Sequence, residues 1–231
     1  MKTLIAVPCM DMLHTPFACA LLSQPPLPGQ TEITFCANSL IYDARNQLAE
    51  KAVREGFDRV LWLDSDVTFR PDFSARLAAH LDAGLEFVTG LYMTRKSPLR
   101  PCIFSKLTVD PLATEFYDHY PVDSLFEIDA CGFGGVMMTT DLLVRVAEAY
   151  AAPFTPISGI GEDLSFCYRA RAVGAKLYCD SRIKMGHIGF REITEATYFE
   201  RIRNEENKHS NENTYEGSGR AAAAPEPGLA G

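Results

Sequence analysis

Short apolar runs alternate along the first part of the chain with segments of helical periodicity. Runs rich in β-branched and apolar residues predict strands at 3–8, 31–37, 59–64 and 85–92. Between them, a helix is predicted over 43–56, with Asp43 as its N-cap, and another over 70–84, with Pro71 in its first turn. A glycine is expected to end each helix. This alternation predicts an α/β fold with a parallel sheet and helices on both faces.

The regular pattern stops at residue 92 and resumes at residue 126. The segment between contains four prolines, Pro98, Pro101, Pro111 and Pro121, and no clear period, which predicts a functional loop or lid. The remaining elements are a strand over 126–139, helices over 141–150 and 161–174, and a last strand over 175–180. The end of the chain is polar and then rich in Gly, Ala and Pro, which predicts one folded domain over 1–203 and a disordered tail over 204–231.

The composition suits a folded domain with a substantial core, since 47% of the 231 residues are apolar. The formal charge is -8, from 22 Lys plus Arg against 30 Asp plus Glu, which argues against a nucleic-acid backbone as partner.

The seven cysteines include no C-x-x-C pair, so free thiols are expected rather than a structural zinc site. No apolar stretch approaches the ~20 residues of a membrane span. Pro8 and Asp11 interrupt the N-terminal apolar run, so no signal peptide is predicted, and we expect a cytoplasmic protein.

Two aspartates directly follow the most hydrophobic strand, in the stretch LWLDSDV. Asp64 and Asp66 would point the same way in an extended chain, because side chains alternate with a period of two. Two like charges repel, and burying them unpaired is costly, so a divalent metal is expected beside them. A surface turn is the alternative interpretation. Their position at the carboxyl end of a central strand favours a ligand site.

Other candidate residues lie further along the chain. Glu162 and Asp163 open the third predicted helix, where they are either first-turn acids that favour the helix dipole or a general base at the site. His187 follows the last predicted strand between Gly186 and Gly189, and such small neighbours would let an imidazole approach a metal.

Positive charges are placed at two positions that suit anionic ligands. Arg45 lies in the first turn of a predicted helix, where the dipole disfavours a cation, so it is expected either in solvent or with a partner such as a base or phosphate. Arg95, Lys96 and Arg100 cluster in TRKSPLR, which suits a diphosphate or an acidic acceptor. The glycines of CGFGG, residues 131–135, do not form a dinucleotide fingerprint and are expected to allow close approach of a ligand or backbone.

Taken in order, these pieces resemble a GT-A glycosyltransferase of the family-two type. The resemblance covers about residues 3–190 and rests on a first strand ending in Pro8, the ARN helix start, LWLDSDV, DACGFGGVMM, GED followed by RARAVGAKLY, and the closing GHIG. It implies a single GT-A domain, with a Rossmann-like, mostly parallel sheet. The implied activity is hexosyl transfer from a UDP- or GDP-sugar to a hydroxyl of a glycan, protein or small-molecule acceptor.

The resemblance also implies a role for each candidate residue. The donor would be bound by Pro8, Arg45, Asp64 and Asp66. Mn²⁺ or Mg²⁺ would be held by Asp66 and His187, with Asp64 assisting. Asp163 would be the base of an inverting transfer, supported by Glu162. A late histidine ligand also occurs in retaining members, so the stereochemical outcome stays open.

Two alternatives remain at this point. DSDVT fits the D-x-D-x-T of haloacid-dehalogenase-type phosphatases, with Asp64 as nucleophile. That motif normally follows the first strand, whereas two predicted strands precede it here, and His187 would have no role. The other alternative is a protein that binds a nucleotide-sugar without turnover.

Overall fold

The computed structural model describes residues 1–189, 192–204 and 206. The chain divides into two units, Met1–Glu195 and Ala196–Gly231. The described residues of the second unit are helical. The predicted tail falls almost wholly outside the described residues, and both its boundary and its disorder stay predictions.

The described part of the first unit contains alternating helices and strands, as the sequence predicts. The strands are β1 Lys2–Pro8, β2 Gln30–Cys36, β3 Arg59–Leu63, β4 Val67–Phe69, β5 Phe87–Leu91, β6 Ile103–Val109, β7 Leu112–Phe116, β8 Leu125–Ile128, β9 Ala130–Cys131, β10 Gly135–Thr139, β11 Leu177–Ile188 and β12 Glu192–Ile193. The helices are α1 Thr15–Leu22, α2 Ile41–Arg54, α3 Phe73–Asp82, α4 Thr140–Tyr150 and α5 Glu162–Ala172.

The main sheet has the order β12-β11-β5-β10-β3-β1-β2, with β4 and β8 also paired to β11. β1 is parallel to β2 and β3, and β5 is parallel to β11. β10 lies between β3 and β5 and is antiparallel to both. The central sheet is therefore mostly parallel, as predicted. Apolar periodicity does not encode strand direction, so the reversed β10 could not be predicted.

Helices cover both faces of this sheet, as expected. Leu61 and Leu63 of β3 belong to an apolar cluster with Phe17 of α1 and Phe73 of α3. Trp62 points to the opposite face, because side chains alternate along a strand. It packs there on Phe154, whose ring stacks on Phe166 of α5, with centroid distances of 5.0 and 4.6 Å. Burial on both sides explains why the run RVLWL is apolar throughout.

The prediction that residues 92–126 form an irregular loop is wrong, because this segment contains a β-hairpin, while its functional role stays a prediction. β6 and β7 pair with each other, and β6 also pairs with β9, so that a small second sheet forms with the order β7-β6-β9. The rings of Phe104 and Phe116 pack across the hairpin with centroids 4.6 Å apart. The register shifts between Phe104 and Lys106, and this irregularity removes the period-two pattern that would reveal a strand.

Several predicted boundaries also shift. α2 begins at Ile41 with Leu40 as N-cap, so Asp43 is not the cap and Arg45 lies in the second turn. α3 begins after Asp72, so Pro71 precedes the helix. The predicted strand over 126–139 is three short strands, β8, β9 and β10.

The predicted ends of the helices are confirmed. Gly56 and Gly84 follow α2 and α3 with φ of +66° and +101°, the left-handed conformation that favours glycine.

Each of the seven cysteines is free. Among the described residues, no helix combines the length and the hydropathy that crossing a membrane requires.

Candidate active site

A cavity of about 460 Å³ opens where β1 and β3 end. All seven residues to which the resemblance assigns a role line this cavity: Pro8, Arg45, Asp64, Asp66, Glu162, Asp163 and His187. They come from elements far apart in the chain, and the parallel strands bring them to one edge of the sheet. Ligands bind at this edge in open α/β sheets.

The two aspartates of LWLDSDV do not lie in a strand. β3 ends at Leu63, so Asp64 and Asp66 belong to the turn between β3 and β4. The period-two argument for their common direction was therefore wrong, although both side chains line the cavity. The backbone holds the turn in place, because the N–H of Ile188 donates to Asp66 O at 2.7 Å.

Arg45 is buried, with 2% of its side chain exposed, and it joins two carboxylates of the cavity. Its Nη2 donates to Asp64 Oδ1 at 2.7 Å, and its Nε donates to Glu162 Oε1 at 3.3 Å. The guanidinium also lies 5.2 Å from the ring centroid of Phe133. Burial would lower the pKa of Arg45, but Asp64, Glu162 and Asp163 together raise it above its usual value. Its partners are therefore carboxylates of the protein rather than the base or phosphate expected from the sequence.

Asp66 and His187 approach each other at the cavity wall. Asp66 Oδ1 lies 3.7 Å from His187 Nε2, and His187 is part of β11 rather than following the last strand as predicted. Burial would raise the pKa of Asp66, but the neighbouring His187 and Arg95 outweigh it and lower that pKa. Asp66 is consequently an ionised carboxylate at neutral pH.

The hydrogen bond of His187 determines which ring nitrogen faces Asp66. His187 Nδ1 lies 2.8 Å from Met93 O, and a carbonyl only accepts, so Nδ1 carries the proton. The protonated ring donates from Nε2 toward Asp66, which is the form that lowers the pKa of that carboxyl, whereas the neutral ring presents an Nε2 lone pair toward it. Two acceptors that face each other suit a cation between them, and a backbone carbonyl that orients a ligating histidine is a common arrangement. This pair fits a divalent ion.

The third predicted metal ligand is arranged differently. The carboxylate of Asp64 is bonded to Arg45. Among the described residues, no group of three or more His, Cys, Asp or Glu side chains could hold a metal. Of the three predicted ligands, Asp66 and His187 remain candidates for holding an ion, and its other positions would be filled by a bound substrate or water.

Asp163 is the second residue of α5 and lies at the same cavity. Its Oδ1 accepts from the N–H of Leu164 at 2.7 Å, which favours the ionised form. Burial and the charge of Glu162 dominate and raise the pKa of Asp163 to about 6. The proton affinity of Asp163 is therefore close to that of a general base that works near neutral pH.

The glycines of CGFGG allow a side chain, Tyr92, to approach. A Cβ at Gly132 would lie 2.2 Å from Tyr92 Oη, a distance that excludes any side chain there. The N–H of Gly134 donates to the same Oη at 3.1 Å. Tyr92 in turn packs edge-on against His187, with centroids 5.3 Å apart. The glycine run therefore positions a tyrosine that supports the histidine.

The structure adds residues to the cavity that the sequence did not reveal. Tyr92, Phe104 and Phe116 line it, and nothing in the irregular pattern of their segment distinguishes them from core residues. Of the positive cluster in TRKSPLR, Arg95 is among the residues that line the cavity, and Lys96 is not.

Comparisons with known proteins show the fold. The chain matches no protein-family model and no curated protein sequence. Its structure is similar to that of A197 from STIV, with a TM-score of 0.59 and 18% identity over 82% of this chain and 86% of that one. It is also similar to GalNAc-T7 crystallised with UDP, GalNAc and Mn²⁺, with a TM-score of 0.58 and 11% identity over 81% of this chain. The match spans 44% of the GalNAc-T7 chain. The fold is a mixed α/β, glycosyltransferase-like fold of the GT-A type.

Proposed function

We propose that this protein is a metal-dependent glycosyltransferase that moves a sugar from a nucleotide-diphosphate sugar to an acceptor hydroxyl. The observation that carries the proposal is the arrangement of one cavity, in which Asp66 Oδ1 lies 3.7 Å from His187 Nε2 and the carboxylates of Glu162 and Asp163 line the same space. The GT-A type of fold supports it, as does the crystallisation of the similar GalNAc-T7 with UDP and Mn²⁺.

Asp66 and His187 would hold the divalent ion, Mn²⁺ or Mg²⁺. When bound, the ion supplies Lewis-acid neutralisation of the diphosphate, which makes the nucleoside diphosphate a better leaving group. Met93 O keeps His187 Nε2 free for this purpose, and the Ile188 N–H fixes the turn that carries Asp66.

The donor would lie against the ends of β1 and β3. Pro8 forms the wall there, and Asp64 is held by Arg45 so that its position does not depend on the ligand. A carboxylate in a fixed position is a suitable hydrogen-bond acceptor for ribose hydroxyls. Because Arg45 is buried and bonded to both Asp64 and Glu162, it holds these two carboxylates in place and does not move when the substrate binds.

Asp163 would act as the base of an inverting transfer. The acceptor hydroxyl gives its proton to the Asp163 carboxylate while its oxygen attacks the anomeric carbon, and the bond from that carbon to the diphosphate oxygen breaks. Glu162 supports this step through its charge, which raises the pKa of Asp163 toward the working range of a base. The acceptor would be a glycan, a protein or a small molecule.

The test is a panel of UDP- and GDP-sugars with candidate acceptors, in which release of UDP or GDP is measured with and without Mn²⁺. We expect release that requires the metal and is abolished by a chelator. Metal-dependent nucleotide-sugar binding without any release would instead favour a non-catalytic binding protein. The anomeric configuration of the product, determined by NMR, separates inversion from retention.

A further inference from the structure

The two oxygens of the Asp66 carboxylate have different neighbours. Oδ1 faces His187 Nε2 at 3.7 Å, and Oδ2 accepts a hydrogen bond from Arg95 Nη1 at 2.5 Å. A divalent ion bound between Oδ1 and His187 Nε2 would therefore share this carboxylate with the guanidinium of Arg95, and the two cations would compete for its negative charge. The two cations cannot both neutralise the same carboxylate at close range without repelling each other.

The contacts of the Arg95 side chain are weak enough for it to be displaced from Asp66. Its side chain is 47% exposed, and its further contact, with Ile188 O, is 3.4 Å long. Arg45 differs in each respect, because it is buried, bonded to two carboxylates and packed on an aromatic ring. An ion pair near solvent contributes little to stability, so Arg95 is the exchangeable cation of the cavity and Arg45 the fixed one.

The charges of the cavity make an exchange favourable only when both ligands are present. Four carboxylates line it, Asp64, Asp66, Glu162 and Asp163, against the two guanidiniums of Arg45 and Arg95. The negative excess would repel a nucleoside diphosphate that arrived alone. A metal ion that arrived alone would have to bind a carboxylate that is already paired with Arg95. Together, the metal takes the place of the guanidinium on Asp66, and the released guanidinium can bond a phosphate, the anion that arginine binds best.

Resting on the function proposed above, we infer that Arg95 is a phosphate-binding residue that Asp66 holds until the nucleotide arrives. Arg95 thereby couples the binding of the divalent ion to that of the nucleoside diphosphate. Such coupling is reciprocal, so each ligand strengthens the other by the same factor.

The experiment measures Mn²⁺ affinity by calorimetry, first alone and then with saturating UDP or GDP, whichever the wild type binds more tightly. Arg95→Gln removes the guanidinium. Lys96→Gln is the matched control, since it makes the same charge change at the next, exposed residue. In the wild type, the nucleotide should raise Mn²⁺ affinity on the order of 10-fold or more. Arg95→Gln should bind Mn²⁺ alone more tightly, and the gain from the nucleotide should be about 3-fold or more smaller than in the wild type, with the remainder due to direct contact between the ion and the diphosphate. Lys96→Gln should match the wild type.

Failure of this inference is distinguishable from failure of the proposed function. If the wild type binds Mn²⁺ with nucleotide and Asp66→Ala does not, the metal site stands. An Arg95→Gln variant with the wild-type Mn²⁺ affinity, or with the wild-type gain from nucleotide, then overturns the role of Arg95 alone. If the wild type binds neither nucleotide, with or without Mn²⁺, both proposals fall.

Discussion

Arg45 Nη2 lies 2.7 Å from Asp64 Oδ1, and this partly buried ion pair ties the second turn of α2 to the end of β3. The same guanidinium holds Glu162 at the start of α5. One arginine thus fixes the relative positions of three elements at the cavity. Its loss would leave two carboxylates beside each other without a counter-charge.

Arg45→Met should therefore destabilise the protein. We expect a loss of about 3 kcal/mol in the free energy of unfolding, because removing one member of a buried ion pair leaves its partners uncompensated. Urea unfolding followed by circular dichroism measures it. Arg54→Met is the control on the same helix, where the arginine is exposed, and it should change stability by less than about 0.5 kcal/mol. Equal effects of the two changes would contradict the structural role of Arg45.

Asp66→Ala should abolish metal-dependent nucleotide binding. Asp66 is the anionic member of the two-residue metal site, and His187→Ala should show a milder form of the same defect because it removes a neutral ligand. Calorimetry with UDP and GDP, with and without Mn²⁺, measures both. Asp43→Ala, an exposed acid of α2, controls for the change in charge. Unchanged, metal-independent binding in Asp66→Ala would refute the metal site.

Asp163→Asn should slow transfer with little effect on donor and metal binding. The rate should fall by roughly 10² to 10⁴, the usual contribution of a positioned base, and Glu162→Gln should cost less. Because the pKa of Asp163 is about 6 and the base must be unprotonated, kcat/KM of the wild type should decline as the pH falls below about 6. Single-turnover measurements across pH test this. A near-normal rate in Asp163→Asn, or a product that retains the donor configuration, would remove the base from the mechanism.

The same substitution should stabilise the fold at high pH. The pKa of Asp163 in the folded protein, about 6, lies above its ordinary value of 3.8, so the folded state binds this proton more tightly than the unfolded state. The resulting stability is complete below about pH 4 and is lost as the pH rises through 6. Asn has no proton to lose, so Asp163→Asn should exceed the wild type in stability at pH 8, with the difference shrinking toward pH 4.

Urea unfolding at both pH values measures this difference. Asp141, the second residue of α4, occupies the matching helix position but is exposed. Asp141→Asn should change stability slightly in the opposite direction, because it removes a favourable charge from a helix start. If the wild type is more stable than Asp163→Asn at pH 8, burial of the ionised Asp163 carboxylate does not destabilise the folded protein.

The phosphatase alternative is tested at Asp64. A nucleophilic aspartate would hydrolyse an aryl phosphate in the presence of Mg²⁺ and form a phosphoaspartyl adduct. We expect neither, because Asp64 is bonded to a buried arginine that serves to position it. p-Nitrophenyl phosphate turnover and mass spectrometry measure the two outcomes. Robust turnover that is lost in Asp64→Asn would overturn the glycosyltransferase proposal.

The sequence by itself was sufficient for the order of the main elements and for the candidate residues of the cavity. Strands buried on both faces, such as RVLWL, have to be apolar throughout, and helices that cover a sheet have to carry an apolar stripe. Both requirements are local, so the periodicity of the sequence reveals them. Carboxylates at the end of such a strand can also be recognised from the sequence as candidate site residues, because the packing of the strand does not explain them.

The tertiary structure alone decided the contacts between those residues. Arg45 and Glu162 are 117 positions apart, and their hydrogen bond depends on the order of strands in the sheet. The pairing of His187 Nδ1 with Met93 O and the burial that raises the pKa of Asp163 depend likewise on how distant segments pack. The hairpin that carries Phe104 and Phe116 could not be predicted because the register shift between Phe104 and Lys106 breaks the period-two pattern, and only the pairing of the two strands reveals it. Local pattern fixes which residues are available, and long-range packing fixes their partners, their protonation and therefore their chemistry.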